Sequence, residues 1–149
     1  MFYRERIYPS LGVTASLFAL LLSTSFAVWA ALETVAAVSF ASLATLFAIL
    51  WWRSAIHRIT FDGTLLSVND AKIDIAFIAG ISALDEKSWQ RQRGVDFDPA
   101  FFHFHRFWMR KGVAIEVKDS RDPHTGWLVG SKDPEGLAKV IAARVTSFE

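Results

Sequence analysis

Two long apolar runs dominate the first part of the chain. Residues 11–32 and residues 35–52 carry no charged side chain. At a helical rise of about 1.5 Å per residue the runs would measure about 33 Å and about 27 Å, which matches a hydrocarbon core roughly 30 Å thick. The pattern predicts two transmembrane helices that reverse at Glu33 and Thr34, the polar pair between them.

Basic residues flank the two runs on the sides away from the predicted reversal. Arg4 and Arg6 precede the first run, and Arg53 and Arg58 follow the second. Because Lys and Arg close to a span are retained in the cytoplasm, we predict a multi-pass protein of the cell (inner) membrane with both termini cytoplasmic. A cleaved signal peptide is the alternative for the first run, but that run is long and a second follows it directly.

The spacing of apolar residues changes from helical to alternating after residue 55. His57, Ile59 and Phe61 fall on one face of a strand, and the pairs Asp62-Gly63 and Asn69-Asp70 favour turns. The sequence therefore predicts a three-stranded meander, followed by a segment at 85–98 that is either a short helix or a loop. The predicted strands lie at 56–61, 64–68, 72–77, 80–84, 101–109, 113–118 and 126–131.

A helix is predicted to close the chain. Asp133 is a helix-capping residue, and Pro134 suits the first helical position. The apolar stripe that follows consists of Leu137, Val140, Ile141, Val145 and Phe148. We therefore predict a juxtamembrane arm and helical hairpin over residues 1–55, and a small α+β domain with an antiparallel sheet or barrel over residues 56–149.

Composition and charge narrow the classes of function. Apolar residues make up 52% of the chain, which is natural for a small protein with two spans. From Arg53 onward there are 14 Lys and Arg against 13 Asp and Glu, so a nucleic-acid partner is not expected. The chain has no cysteine, which excludes disulfides and thiolate ligands, and no motif predicts a cofactor or an enzyme.

Two sets of residues are candidates for chemistry, and both lie at or just beyond the aromatic segment 101–109. His103 and His105 share a face of the predicted strand, so they could chelate a metal ion if further ligands converged on them. Cations and an aromatic ring alternate just after them, which suits the phosphate of an anionic lipid headgroup or an acidic partner. This second set comprises Arg106, Trp108, Arg110 and Lys111.

The chain resembles an actinobacterial family of small two-span membrane proteins of unknown function. The resemblance rests on Tyr3-Arg4-Glu5-Arg6, Asp98-Pro99, Arg106, Trp108, Val117 to Pro123, Trp127-Leu128-Val129, Ser131, Pro134 and Glu135. The sequence departs from the family pattern at Phe107, where proline is expected, and in the aromatic and histidine residues just before it. The order of elements also resembles bacterial PH-like domains tethered to membranes, which implies a PH-like fold for the soluble part.

These patterns predict an integral membrane protein that acts as a tethered binding or scaffold module. Its expected partners are the lipid bilayer and either an anionic lipid headgroup or an unknown membrane or cytoplasmic protein. The alternative is a metal-dependent hydrolase that uses His103 and His105.

Overall fold

The computed structural model describes residues 2–119 and 122–145. The chain divides into two compact units. One is the helical unit Tyr8–Ile56, and the other combines the residues before Tyr8 with those after Ile56. We call the second unit the β-domain.

The helical unit consists of two helices, as predicted. Helix α1 spans Leu11–Ala31 and helix α2 spans Thr34–Ala55. The Ser10 hydroxyl accepts a hydrogen bond from the Val13 amide at 3.3 Å and so caps the start of α1. Glu33 is the N-cap residue of α2, so the chain reverses at the predicted polar pair. By length and composition, each helix is long and apolar enough to cross a bilayer.

Large apolar side chains cover the outside of both helices. No residue of α1 is buried, and the buried residues of α2 are the alanines Ala37, Ala44 and Ala55. This arrangement differs from the core helix of a soluble protein, in which the large side chains are the buried ones. The side chains that are more than half exposed include Phe18, Leu20, Leu22, Phe26, Trp29, Leu43, Phe47, Ile49 and Leu50.

The β-domain begins with an antiparallel sheet of four strands, which we call the first sheet. Three of its strands form the predicted meander, and its fourth strand, β1, precedes α1 in the chain. Gly63 and Asn69 have φ angles of 108° and 53°, the left-handed backbone that the two predicted turns require. The strands, in spatial order, are β1 (Tyr3–Ile7), β2 (His57–Phe61), β3 (Leu65–Val68) and β4 (Ala71–Asp74).

Strand β1 was not foreseen, because the sequence analysis assigned the first ten residues to a juxtamembrane arm. Its residues pair along the whole of β2, from Tyr3 opposite Phe61 to Ile7 opposite His57. The alternation of apolar and polar residues that would predict a strand is broken at Glu5, because this charged residue occupies an inward position of β1.

The Glu5 carboxylate is held by three donors from within the β-domain. It accepts hydrogen bonds from the Tyr3 hydroxyl at 2.9 Å, the Ser131 hydroxyl at 2.7 Å and the Lys132 amide at 2.6 Å. Burial, and then the Glu5 carboxylate, raise the pKa of Tyr3 well above its usual range. These bonds join β1 to the segment that leads into the last helix.

The predicted strand at 72–77 ends early. Strand β4 stops at Asp74, whose carboxylate accepts a hydrogen bond from the Ala76 amide at 2.9 Å and caps a 3₁₀ turn at Ile75–Phe77. This turn takes the chain out of the first sheet and into strand β5, Ile78–Leu84.

A second sheet of four strands follows, and the two sheets do not close into a barrel. Its neighbouring strands are hydrogen-bonded in the order β5, β7, β8 and β6. Of the two predicted forms, an antiparallel sheet or a barrel, the barrel is therefore wrong, since the strands on either side of the 3₁₀ turn belong to two sheets. The sheet is also not purely antiparallel, since β6 runs parallel to β8. The remaining strands are β6 (Phe101–Phe104), β7 (Gly112–Val117) and β8 (Gly126–Gly130).

Two helices complete the β-domain. Helix α3, Glu86–Arg93, resolves the open choice at 85–98 in favour of a short helix with Asp85 as its cap. Helix α4, Pro134–Val145, is the predicted closing helix. Leu137 and Ile141 of the predicted stripe are fully buried in a core that also contains residues of both sheets. Phe148 lies outside the described residues.

Candidate functional site

The aromatic segment forms a strand only as far as Phe104. Residues 105–111, which we call the aromatic-basic loop, then cross to β7. The Met109 amide donates to the Arg106 carbonyl at 3.0 Å, which closes a four-residue turn with Phe107 and Trp108 at its centre. The predicted strand over 101–109 is therefore wrong in its second half. Beyond the strand, the side chain of Met109 lies over Gly130, the last residue of β8.

Helix α3 holds the aromatic-basic loop in place. The Met109 carbonyl accepts hydrogen bonds from the indole nitrogen of Trp89 at 2.9 Å and from the guanidinium of Arg93 at 3.3 Å. Trp89 and Met109 are both buried. The turn is thus a fixed feature of the β-domain and not a loose connection.

The turn presents one large aromatic ring to the outside. Phe107 is 70% exposed, whereas Trp108 is only partly exposed. The two ring centres lie 4.8 Å apart with the planes nearly perpendicular, so Trp108 supports the exposed ring.

The four predicted binding residues lie in this loop. Arg106 and Trp108 belong to the turn, and Arg110 and Lys111 follow it. The Arg110 guanidinium pairs with Glu86 at 3.4 Å, and both side chains are largely exposed. Such a pair contributes little to stability and leaves the cation accessible to another anion.

Three histidines gather at the start of the loop. His103 and His105 have ring centres 5.6 Å apart, and the centres of the His105 and Trp89 rings are separated by the same distance with the planes nearly perpendicular. His57, at the start of β2, is near enough to influence the titration of His105. The predicted pair therefore lies close together, and His57 of the first sheet lies nearby.

The protonated nitrogen of His57 follows from its neighbours. The side-chain oxygen of Asn69 accepts from the Arg58 amide at 2.9 Å, so the Asn69 nitrogen donates to Nδ1 of His57 at 3.0 Å. Nε2 of His57 must then carry the hydrogen. It is a buried donor that meets no acceptor among the described residues.

Two of the three histidines, His57 and His105, are held in the neutral state. Burial, and then the positive charge of Arg106, lower the pKa of His57 from 6.5 to about 4. Burial, the charge of Arg93 and the charges of His103 and His57 lower the pKa of His105 to about 4 as well. At neutral pH the imidazoles of His57 and His105 carry no charge.

Comparison with known proteins places the chain in a family. Residues 2–141 match the family model described as protein of unknown function (DUF3093). The chain belongs to this family. No curated protein and no solved structure gives a significant match.

The hydrolase hypothesis for this DUF3093 protein requires a metal site built around His103 and His105. Among the described residues, no group of three or more His, Asp or Glu side chains is placed to hold a metal ion. Nε2 of His103 is engaged with the Asp98 carbonyl at 3.3 Å, and Nδ1 of His57 is engaged by Asn69. A catalytic metal site needs three protein ligands, which His103 and His105 alone do not supply.

Sequence reasoning missed the two α3 residues that position the loop. Trp89 and Arg93 lie four residues apart and therefore on the same side of α3. Asp85, with Ser88 three residues on, was a signal for this helix, since its carboxylate caps the Ser88 amide at 2.9 Å. Nothing in the sequence linked α3 to Met109.

Proposed function

We propose that this DUF3093 protein is an integral membrane protein whose helices α1 and α2 cross the bilayer as a hairpin. The large apolar side chains exposed along both helices carry the proposal, because in water a surface of this kind promotes aggregation. In hydrocarbon the same surface is favourable.

The polar side chains of the hairpin fit this environment. Thr24, Ser39, Ser42 and Thr45 each donate a hydrogen bond of 2.8 Å to a carbonyl four residues earlier in the same helix. In a bilayer core, which offers no water, a hydroxyl needs such an internal acceptor. The described spans therefore require no polar partner from outside for these groups.

The proposed orientation has both ends of the chain in the cytoplasm. Arginines flank the outer ends of the two helices, and the reversal at Glu33 and Thr34 has no basic residue. This orientation would hold the β-domain at the inner surface of the cell membrane.

Cysteine accessibility tests the orientation directly. The chain has no cysteine of its own, so Thr34→Cys and Lys139→Cys each provide a single thiol. In intact cells an impermeant thiol reagent is expected to label the first variant and not the second. Lys139→Cys should react only after the membrane is permeabilised. Labelling of Lys139→Cys but not Thr34→Cys in intact cells would contradict this orientation and indicate the opposite one.

For the β-domain we propose a binding role rather than catalysis. In this proposal the domain acts as a tethered module for a protein partner or a lipid headgroup, like the bacterial PH-like domains that the sequence resembles. The aromatic-basic loop supports this role, because an exposed ring beside accessible cations suits an anionic surface with an apolar component. Its fixed backbone lowers the entropy lost on binding.

A photo-crosslinking residue at Phe107 in the full-length protein tests the loop. In native membranes it is expected to give a defined lipid or protein adduct, and the mass of the adduct distinguishes the two. The double substitution Arg110→Glu and Lys111→Glu is expected to lower the yield at least about fivefold, since each cation near an anionic surface is worth about 1 kcal/mol.

Val95 offers a matched control position, because it is 91% exposed and lies outside the loop. Adducts of the same kind and yield at Val95 and Phe107 would contradict a specific role for the loop. Insensitivity of the Phe107 adduct to the charge reversal would contradict the role of the two cations.

A further inference from the structure

The outer side of the first sheet carries four cations. Tyr3, Glu5 and Ile7 of β1 point inward, and the residues between them point outward, as the alternation of burial shows. The same alternation applies to β2 and β4. The outward cations, which we call the basic face, are Arg4, Arg6, Arg58 and Lys72.

Two of these cations lie directly opposite each other. Arg6 of β1 is the register partner of Arg58 of β2, and both residues are exposed. Opposite residues in an antiparallel pair have Cβ atoms about 4.5–5.5 Å apart, and like charges at that position destabilise the sheet. Within the described part of the chain, neither arginine forms an ion pair that would offset the repulsion.

Most carboxylates of the first sheet are directed elsewhere. Glu5 points inward to Ser131, and the carboxylate of Asp62 accepts backbone hydrogen bonds in the turn it begins. Asp74 shares the outward side of β4 with Lys72, and its carboxylate caps the turn at Ile75–Phe77. Asp70 is exposed in the turn after β3 and, among the described residues, makes no ion pair. The basic face therefore has an excess of positive charge, with four cations and the carboxylate of Asp74, although the chain as a whole is close to neutral.

The chain leaves the β-domain after Ile7 and returns to it at His57, and these two residues lie at one end of the paired strands β1 and β2. Ile7 and His57 are register partners, α1 begins at Leu11, and α2 ends at Ala55. A fully extended chain covers about 3.5 Å per residue, so these connections reach at most about 14 Å and about 7 Å. The strand ends that follow Arg6 and precede Arg58 are thus joined to the two spans by short connections.

We infer that the basic face binds the phosphate groups of anionic phospholipids in the leaflet that anchors the protein. The inference rests on the proposed insertion of α1 and α2. Charge complementarity selects the ligand, since the cytoplasmic leaflet carries anionic lipids and attracts cations close to a span. Lipid phosphate would separate Arg6 from Arg58 with negative charge and remove the repulsion between them.

The test uses the full-length protein in lipid nanodiscs. Ser67→Cys places a fluorophore in the middle of the basic face, because Ser67 lies between Thr60 and Lys72 in the register. A quencher on the lipid headgroup is expected to quench this fluorophore more in discs that contain phosphatidylglycerol than in pure phosphatidylcholine discs. High salt is expected to remove the difference.

Removal of single charges from the basic face is expected to weaken docking of the β-domain on the lipid. Arg6→Gln and Arg58→Gln should each lower the ratio of docked to undocked domain about fivefold, and about thirtyfold together. Neither substitution should lower the thermal unfolding midpoint, because each relieves a like-charge contact. The matched control is Lys87→Gln with Lys118→Gln, which removes two exposed cations outside the basic face.

Equal quenching in the two kinds of disc would overturn the inference. So would quenching that survives the double substitution Arg6→Gln and Arg58→Gln but falls in the control. These failures are separable from failure of the proposed function, which is read from the labelling of Lys139→Cys in intact cells. A correct topology without lipid-dependent quenching rejects the basic face alone.

Discussion

Acidification is expected to destabilise the β-domain by several kcal/mol, with most of the loss between pH 6.5 and about pH 4. In this window His57 and His105 bind a proton in the unfolded chain but not in the folded protein. The unfolded state therefore holds more protons, and stability falls as the pH falls. Each pH unit is worth about 1.4 kcal/mol for one histidine. His57 should dominate because it is 2% exposed, whereas His105 is partly solvated.

Urea unfolding of the full-length protein at a series of pH values measures this dependence. His57→Gln is expected to flatten the curve above about pH 4, because the amide does not titrate. His124→Gln is the matched control, since His124 pairs with Asp122 and lies outside the cluster. Asp62 and Asp85 have pKa values lowered from 3.8 by backbone hydrogen bonds, so they act only at more acid pH. A full slope retained in His57→Gln would contradict the assignment.

Local pattern predicted those parts of the fold that depend on neighbours in sequence. The two apolar runs needed only length and composition, and the meander needed only alternation and two turn pairs. The closing helix was predicted from Asp133 and Pro134, and the Asp133 carboxylate indeed accepts from the Gly136 amide at 3.0 Å. Such signals survive folding because the hydrogen bonds involved join residues a few positions apart.

Pairing between distant segments could not be predicted in this way. Strand β1 pairs with β2 although the whole helical unit lies between them in the sequence. The inward position of Glu5 is favourable only because Ser131 and Lys132 supply hydrogen-bond donors. The end of β6 was missed for a related reason. Both faces of the segment 101–109 are aromatic, so alternation continued past the point where Met109 turns back to Gly130.

The candidate site was predicted in part for the same reason. Arg106 and Trp108 were found because cations and aromatic rings alternate in sequence, and this signal is local. Their support by Trp89 and the nearby position of His57 depend on tertiary packing. Sequence reasoning could therefore name candidate residues of the loop, but it predicted neither the turn they form nor the residues that fix its shape.

Replacement of Trp89 by alanine is expected to destabilise the β-domain by about 3–5 kcal/mol. The side chain is fully buried, and its ring packs against Gly112 so closely that a Cβ there would collide with it. The substitution also removes the indole donor from the Met109 carbonyl. Trp89→Phe keeps most of the packing and loses the hydrogen bond. The loss of the hydrogen bond is expected to cost about 0.5–1.5 kcal/mol, and the smaller ring adds a further loss of packing.

The comparison of these two variants separates packing from positioning of the loop. Urea unfolding of the full-length protein gives the free energies, and crosslinking at Phe107 reports the loop. Arg91→Ala is the control on the same helix, since its ion pair with Asp96 at 3.1 Å is exposed and worth at most about 1 kcal/mol. If Trp89 positions the loop, Trp89→Phe should reduce crosslinking by more than Arg91→Ala does, even where the protein remains folded. Equal crosslinking in the folded variants would leave Trp89 as a packing residue, and the fixed shape of the turn would then depend on Met109 and Gly130.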